Sequence, residues 1–242
     1  MNATARTRVG LVVPANTRID HEYWELAPSH VTLLITRTWM PGQMLTSVAK
    51  LRELAESEDV EEAARRLAIA EPSAVSFADT SITFGGGIAG SKAMVDRMRR
   101  HLGCPVTTTS LSVRHALQAL GARSVGVVAP YTREVNRCLC DFLVESGFRV
   151  TTLVELSIGG ADKMSGADPE ILVAAGRQAG GPPSDAIFIS CTALPSLGAI
   201  AVLESEIGRP VLTSNQVTMW EVLRLAGVRN EDGVGLLFRR AE

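Results

Sequence analysis

Short apolar runs alternate along this chain with longer stretches of helical period. Arg8-Val9-Gly10-Leu11-Val12-Val13, Ala74-Val75-Ser76-Phe77-Ala78, Ser124-Val125-Gly126-Val127-Val128-Ala129 and Asp185-Ala186-Ile187-Phe188-Ile189 are apolar without clean alternation. That is the pattern of strands covered on both faces in a parallel sheet. Val31 to Ile35, Pro105 to Ser110, Arg149 to Leu153 and Pro210 to Asn215 read as further, shorter strands. Between them, Thr46 to Ile69 is helical by period, with a break predicted at Ser57-Glu58-Asp59. Helices are also predicted from Asp20 to Leu26, about Ser91 to Leu102, through Leu120, through Leu143, Pro169 to about Ala179, Leu197 to Ile207 and Val217 to Leu225. Gly121, Gly147 and Gly227 end three of them. Trp39-Met40-Pro41-Gly42, the triple glycine Gly85-Gly86-Gly87 and the polar stretch Ser157 to Pro169 read as loops. The three glycines fit neither a dinucleotide fingerprint nor a P-loop, and are taken as a flexible or closely packed loop.

The second half restarts the programme of the first. Ser124 to Arg133 parallels Arg8 to Arg18 with one residue deleted in the turn, which sets Tyr131 opposite Asn16. Ala78-Asp79-Thr80-Ser81 and Ser190-Cys191-Thr192 end matching strands, so Asp79 stands where Cys191 stands. Pro210 to Asn215 mirrors Pro105 to Ser110. Three blocks in the same order indicate an internal duplication too long for a solenoid repeat. The expected fold is α/β, with two Rossmann-like lobes related by a pseudo-twofold, each with a central parallel sheet. The lobes span residues 1–121 and 122–242, the C-terminal segment crossing back, and the active site lies in the cleft between them. Open α/β sheets bind ligands at the carboxyl ends of their strands, which is where Asp79 and Cys191 fall.

Composition narrows the partners. A net charge of −2 in 242 residues, with no basic block, argues against nucleic acid or an anionic membrane. No run approaches the length of a membrane span and Met1 to Arg6 lacks a signal-type apolar region, so a cytoplasmic location is expected. Cys104, Cys138, Cys140 and Cys191 show no metal-ligand spacing, and free thiols in a reducing compartment are expected. His21, His30, His101 and His115 are scattered and form no evident triad with Cys191.

With these blocks in place the chain resembles the aspartate/glutamate racemase superfamily, in its branch of maleate cis-trans isomerases and arylmalonate decarboxylases. The carriers are Val9 to Pro14, Asp79-Thr80-Ser81, Pro130-Tyr131, Asp162 to Pro169, and Ser190-Cys191 with Pro195-Ser196-Leu197. The resemblance implies proton transfer at the α-carbon of a small carboxylic acid without metal or organic cofactor. Cys191 matches the second-lobe cysteine of both branches. Thr80, Ser81 and Tyr131 match positions that bind the retained carboxylate in the decarboxylases, and Asn16 matches a substrate-binding asparagine of the isomerases. The superfamily's first-lobe cysteine is Asp79 here, where the decarboxylases have glycine, and an asparagine of the isomerase loop falls on Lys163.

The chemistry sets demands of its own. Removing a proton or CO2 next to a carboxylate builds an enediolate, which needs aimed donors in a dry site. The hydroxyls of Thr80, Ser81 and Tyr131 and the N–H after Cys191 would serve, with Thr192 as a further carboxylate partner. Cys191 would give or take the proton. Asp79 would face it from the other lobe with a raised pKa, and capping of the following turn is its plain structural alternative. Arg18 and Arg133, at matching turns, would attract an acidic substrate or, as the default, be solvated, and Trp39 with Met40 would form a lid or pack. The expected function is a cofactor-independent isomerase or lyase. The alternatives are a small-carboxylate-binding protein that has lost turnover and a hydrolase in which Asp79 activates water. Homo-oligomerisation is left open.

Overall fold

The computed structural model describes residues 6–39 and 47–240. Thr46, Met40, Pro41 and Gly42 lie outside the described residues. The strands of the first half are β1 (Thr7–Pro14), β2 (Val31–Thr38), β3 (Ala74–Phe77) and β4 (Val106–Thr108), in the order β2-β1-β3-β4 and all parallel. The second half repeats this with β5 (Ser124–Ala129), β6 (Arg149–Glu155), β7 (Ala186–Ile189) and β8 (Val211–Thr213), in the order β6-β5-β7-β8. The two sheets therefore share one topology, as the repeat requires. In β1 and β5, Val9, Leu11, Val12, Val13, Val125, Val127 and Val128 are all fully buried, because helices cover both faces of each sheet.

The glycine that recurs inside β1 and β5 has a packing reason. A Cβ on Gly126 would lie 2.0 Å from the Ala179 carbonyl oxygen, and one on Gly10 would lie 2.9 Å from Val75 Cγ2. Each glycine lets a neighbour settle against the central strand.

Strand order reverses direction beside β1 and beside β5, and such switch points open a crevice at the carboxyl ends of the strands. The last pairs there are Val12 with Phe77 and Val128 with Ile189. Ala78 N then donates to Val12 O at 2.7 Å, and Ser190 N to Val128 O at 2.8 Å. Asp79 and Cys191 follow these two residues, so each leaves its switch point at the same register.

Helices join the halves. α6 (Thr109–Ala119) packs against α11 (Ser214–Leu225), which also lies against β3 and β4. Thr109 Oγ1 and Thr218 Oγ1 meet at 2.8 Å in this seam, and His115 Nδ1 lies 2.9 Å from Glu221 Oε1. α1 (His21–Leu26), which follows β1, also reaches α11.

Several boundaries differ from expectation. The predicted break is real, giving α2 (Val48–Glu56) and α3 (Asp59–Ala68), with Ser57 and Glu58 between them. The segment after Asp79 is a short helix, α4 (Thr80–Phe84), and α5 (Gly87–Arg99) starts at the third glycine rather than at Ser91. The triple glycine is thus a packed helix junction. A Cβ on Gly85 would stand 2.8 Å from Leu51 Cβ. α11 begins at Ser214, three residues before the expected Val217, because Thr213 and Gln216 form a capping box. The polar stretch 157–169 contains α8 (Ala161–Ser165). α7 (Arg133–Glu145), α9 (Pro169–Ala179) and α10 (Leu197–Ile207) fall as expected, and α12 (Leu236–Arg240) closes the chain.

Candidate active site

Asp79 leaves β3 in extended conformation and caps α4. Its Oδ1 accepts from Ile82 N at 2.7 Å and from the Ser81 hydroxyl at 3.0 Å. Oδ2 makes no hydrogen bond among the described residues. The structural alternative for Asp79 is therefore met by one of its oxygens and leaves the other available. Burial pushes the Asp79 carboxyl above the usual range, against the pull of Ile82 and Ser81.

Thr80 sits in the first turn of α4 and donates to Ser214 Oγ, across the lobes, at 2.8 Å. The same Ser214 oxygen accepts the Cys191 N–H at 2.9 Å. One serine hydroxyl at the start of α11 thus links the strand ends that carry Asp79 and Cys191. In this structure the Thr80 proton is committed to Ser214 and the Ser81 proton to Asp79, whereas both were expected as donors to a ligand.

Cys191 is held at φ 117°, a backbone region that a side chain rarely adopts. Its sulfur accepts from Ala193 N at 3.4 Å and lies 3.7 Å from Met164 Sδ, which α8 carries over it. Burial pushes the thiol up to about 12; the Ala193 N–H and Tyr131 pull the other way, while the charge of Asp79 adds to the rise. Tyr131, in the turn after β5, shares a 3.1 Å hydrogen bond with Ser190 Oγ and meets Phe84 of α4 edge-on at 5.9 Å. Burial raises its phenol well above the usual range, and the Cys191 charge raises it further. All three side chains are buried, and the strand end that carries Cys191 is bonded through Ser214 to Thr80 and through Ser190 to Tyr131.

Thr192 is buried. Its carbonyl accepts from Asn215 Nδ2 at 3.3 Å, and its hydroxyl makes no hydrogen bond among the described residues. Asn16 is half-buried in the turn after β1, at the same end of the sheet, and its side chain likewise has no partner among the described residues. Arg18 is not simply solvated: it pairs with Asp162 of α8 at 2.6 Å. Lys163 is exposed beside Met164, and Trp39 is 72% exposed.

Four residues close to this site escaped the sequence reading. Ser214 and Met164 are described above. Tyr23 of α1 is fully buried with an unpartnered hydroxyl. Burial and then the charge of Asp79 raise its phenol, and Cys191 contributes too. Glu22, its neighbour, reaches the segment after Cys191. Of the four, Ser214 had a signal, since the repeat marks it as the counterpart of Thr109. A separate groove lined by Trp220, Leu223, Arg224, Val228 and Phe238 includes none of the site residues. Among the described residues no group of three acidic, histidine or cysteine side chains is placed to hold a metal, and no helix is long and apolar enough to cross a membrane.

Comparison with known proteins identifies the family. The family model for arylmalonate decarboxylase matches residues 10–238. The chain belongs to the arylmalonate decarboxylase family. The arylmalonate decarboxylase of Bordetella bronchiseptica is 37% identical over 185 residues, covering 75% of this chain and 77% of that protein. A maleate isomerase of Pseudomonas putida is 25% identical over 228 residues, 90% of each. The solved structure of unliganded arylmalonate decarboxylase superposes with a TM-score of 0.82 at 32% identity, over 96% of this chain and 99% of that one. The maleate isomerase structure from Pseudomonas putida S16, at 24% identity, shares the fold with a TM-score of 0.84, over 92% and 94%. Family membership and the two-lobed α/β fold read from the sequence both stand.

Proposed function

We propose that this family member is a cofactor-independent decarboxylase of α-substituted malonic acids. The observation that carries this choice is that the two equivalent strand ends hold one thiol, Cys191, with Asp79 in place of a second. Cys191 is buried and pushed up to about 12, so at neutral pH it is a proton donor. Adding a thiol to a carbon–carbon double bond, as a covalent isomerase would, needs the thiolate. Asp79, at the equivalent position, is a poorer nucleophile still.

In the proposed reaction the bond from the α-carbon to one carboxylate breaks. Its electron pair passes into the other carboxylate, giving an enediolate and CO2. The α-carbon then takes the Cys191 proton, and the thiolate regains one from solvent. The second carboxyl group is itself the electron sink, which removes the need for a metal or organic cofactor. Tyr131, Tyr23 and Thr192 supply hydroxyls to the enediolate. Those of Thr80 and Ser81 join by rotating away from Ser214 and Asp79, as hydroxyl protons do. Each such donor contributes about 3 kcal/mol in a dry site. Asn16 meets the substrate from the turn after β1. Asp79, shifted by burial toward its neutral form, lowers the repulsion a dianion would meet. The free cysteines fit a reducing, cytoplasmic setting.

The test is turnover of α-aryl and α-alkyl malonates in D2O, with maleate alongside. The expected product carries one deuterium at the α-carbon and a single configuration, with CO2 released in step. Cys191→Ala is expected to lower kcat by roughly 10²–10⁴-fold. The donor must be protonated, so the rate is lost as pH rises through the Cys191 pKa. The alkaline limb should therefore lie well above the ordinary thiol value of about 8.5. Undiminished CO2 release by Cys191→Ala, or fumarate from maleate without decarboxylation, would overturn the reading.

A further inference from the structure

α1 carries a buried acid for which the proposed reaction has no use. Glu22 is 3% exposed, yet it belongs to the first half of the chain and spends both oxygens on the second. Oε1 accepts the N–H of Leu197, the first residue of α10, at 3.0 Å. Oε2 accepts Asn215 Nδ2 at 2.6 Å, and that same nitrogen donates to the Thr192 carbonyl at 3.3 Å. One carboxylate therefore reaches both ends of the segment that runs from Cys191 to Leu197, directly at one end and through Asn215 at the other.

Burial pushes the Glu22 carboxyl above its usual range, yet both of its oxygens accept from N–H groups here, and a carboxylate, unlike an amide, offers Asn215 an acceptor only. Asn215 Oδ1 is buried and unpartnered, so only the two acceptors facing Nδ2 set the orientation of its amide. A neutral amide in place of Glu22 could present a donor to Asn215. The Asn215 amide would then turn, bringing its own oxygen against the Thr192 carbonyl. Cys191, for its part, sits at φ 117°, and such a conformation persists only where its surroundings over-determine it. Ser214 holds the Cys191 N–H, Asn215 the Thr192 carbonyl and Glu22 the Leu197 N–H.

We propose that Glu22 is a positioning residue that, through Asn215 and Leu197, locks the Cys191–Leu197 segment across the two lobes and so aims the thiol. Its effect on turnover rests on the decarboxylase reading; its effect on the segment does not. Glu22→Gln keeps the size and an acceptor for Leu197. Asn215→Ala leaves the Glu22–Leu197 bond and deletes the link to Thr192.

Both variants should lower kcat by roughly 10²-fold, the effect of a displaced reacting group, with KM changed by less than about threefold. Hydrogen exchange followed by mass spectrometry supplies a readout that needs no substrate. The amides of Thr192, Ala193, Leu194, Ser196 and Leu197 should exchange roughly tenfold faster in both variants while β5 and β7 keep their protection. Unchanged exchange in this segment overturns the proposal. So does acceleration throughout the chain, or failure of both variants to fold, since either marks a global structural role. So does normal kcat beside a loosened segment. If the parent chain turns over none of the malonates, the decarboxylase reading falls, and local loosening alone upholds the lock.

Discussion

At the level of one side chain, the proposed donor role of Tyr23 stands against its cost in stability. A buried hydroxyl without a partner costs about 1–3 kcal/mol, and Tyr23 carries one among acids and a thiol. Were it only packing, phenylalanine would serve better. Tyr23→Phe is accordingly expected to raise thermal stability by about 1 kcal/mol and to lower kcat/KM on the best malonate by roughly 10²-fold. A variant that gains stability with no loss of activity would remove Tyr23 from the donor set. At this scale the sequence was partly legible. Asp79 and Cys191 emerged because a duplicated strand end gives each a counterpart to be compared with. Tyr23 and Met164 have no counterpart, and nothing in an isolated aromatic or methionine tells a pocket from a core.

Among the elements, α4 shows how a cap and a proposed site residue coincide. Asp79 binds the first turn through Oδ1 while burial lifts its pKa. An acid whose folded pKa is raised adds stability only below its unfolded pKa, and that stability is lost as pH rises through the folded value. At neutral pH the easier ionisation of Asp79 in the unfolded chain therefore works against the fold. Asp79→Asn keeps an acceptor for Ile82 N and removes the titration. It is expected to melt higher than the parent at pH 7, with the difference closing as pH falls below about 4. A constant difference across this range would mean that the Asp79 pKa is not raised. Elements of this length are where sequence reading fails. α4 and α8 are five residues each, too short to display a helical period, so the first was read as a turn and the second as part of a loop. The long helices and the apolar strands were legible, because period and burial act over many residues at once.

For the molecule as a whole, the duplication made the two sheets and their matching strand ends readable in the sequence. Contacts between the halves were not readable. The Thr80–Ser214 bond and the Glu22–Asn215 bond join residues more than a hundred positions apart, and no periodicity records such pairs. The total stability of the fold also carries the left-handed backbone of Cys191, a strain of about 1–3 kcal/mol. Glycine relieves it, less about 0.5–1 kcal/mol of added chain entropy. Cys191→Gly should thus melt about 2–4 °C above Cys191→Ala, although both lack the thiol, and equal melting points would show that φ at 191 carries no strain. In terms of mutation and selection, position 191 lies on a slope that descends toward glycine. Random substitution that improves folding would remove the thiol, and only selection for its chemistry opposes that drift. A lineage released from the reaction should lose the cysteine at 191 early, and gain a more stable protein by losing it.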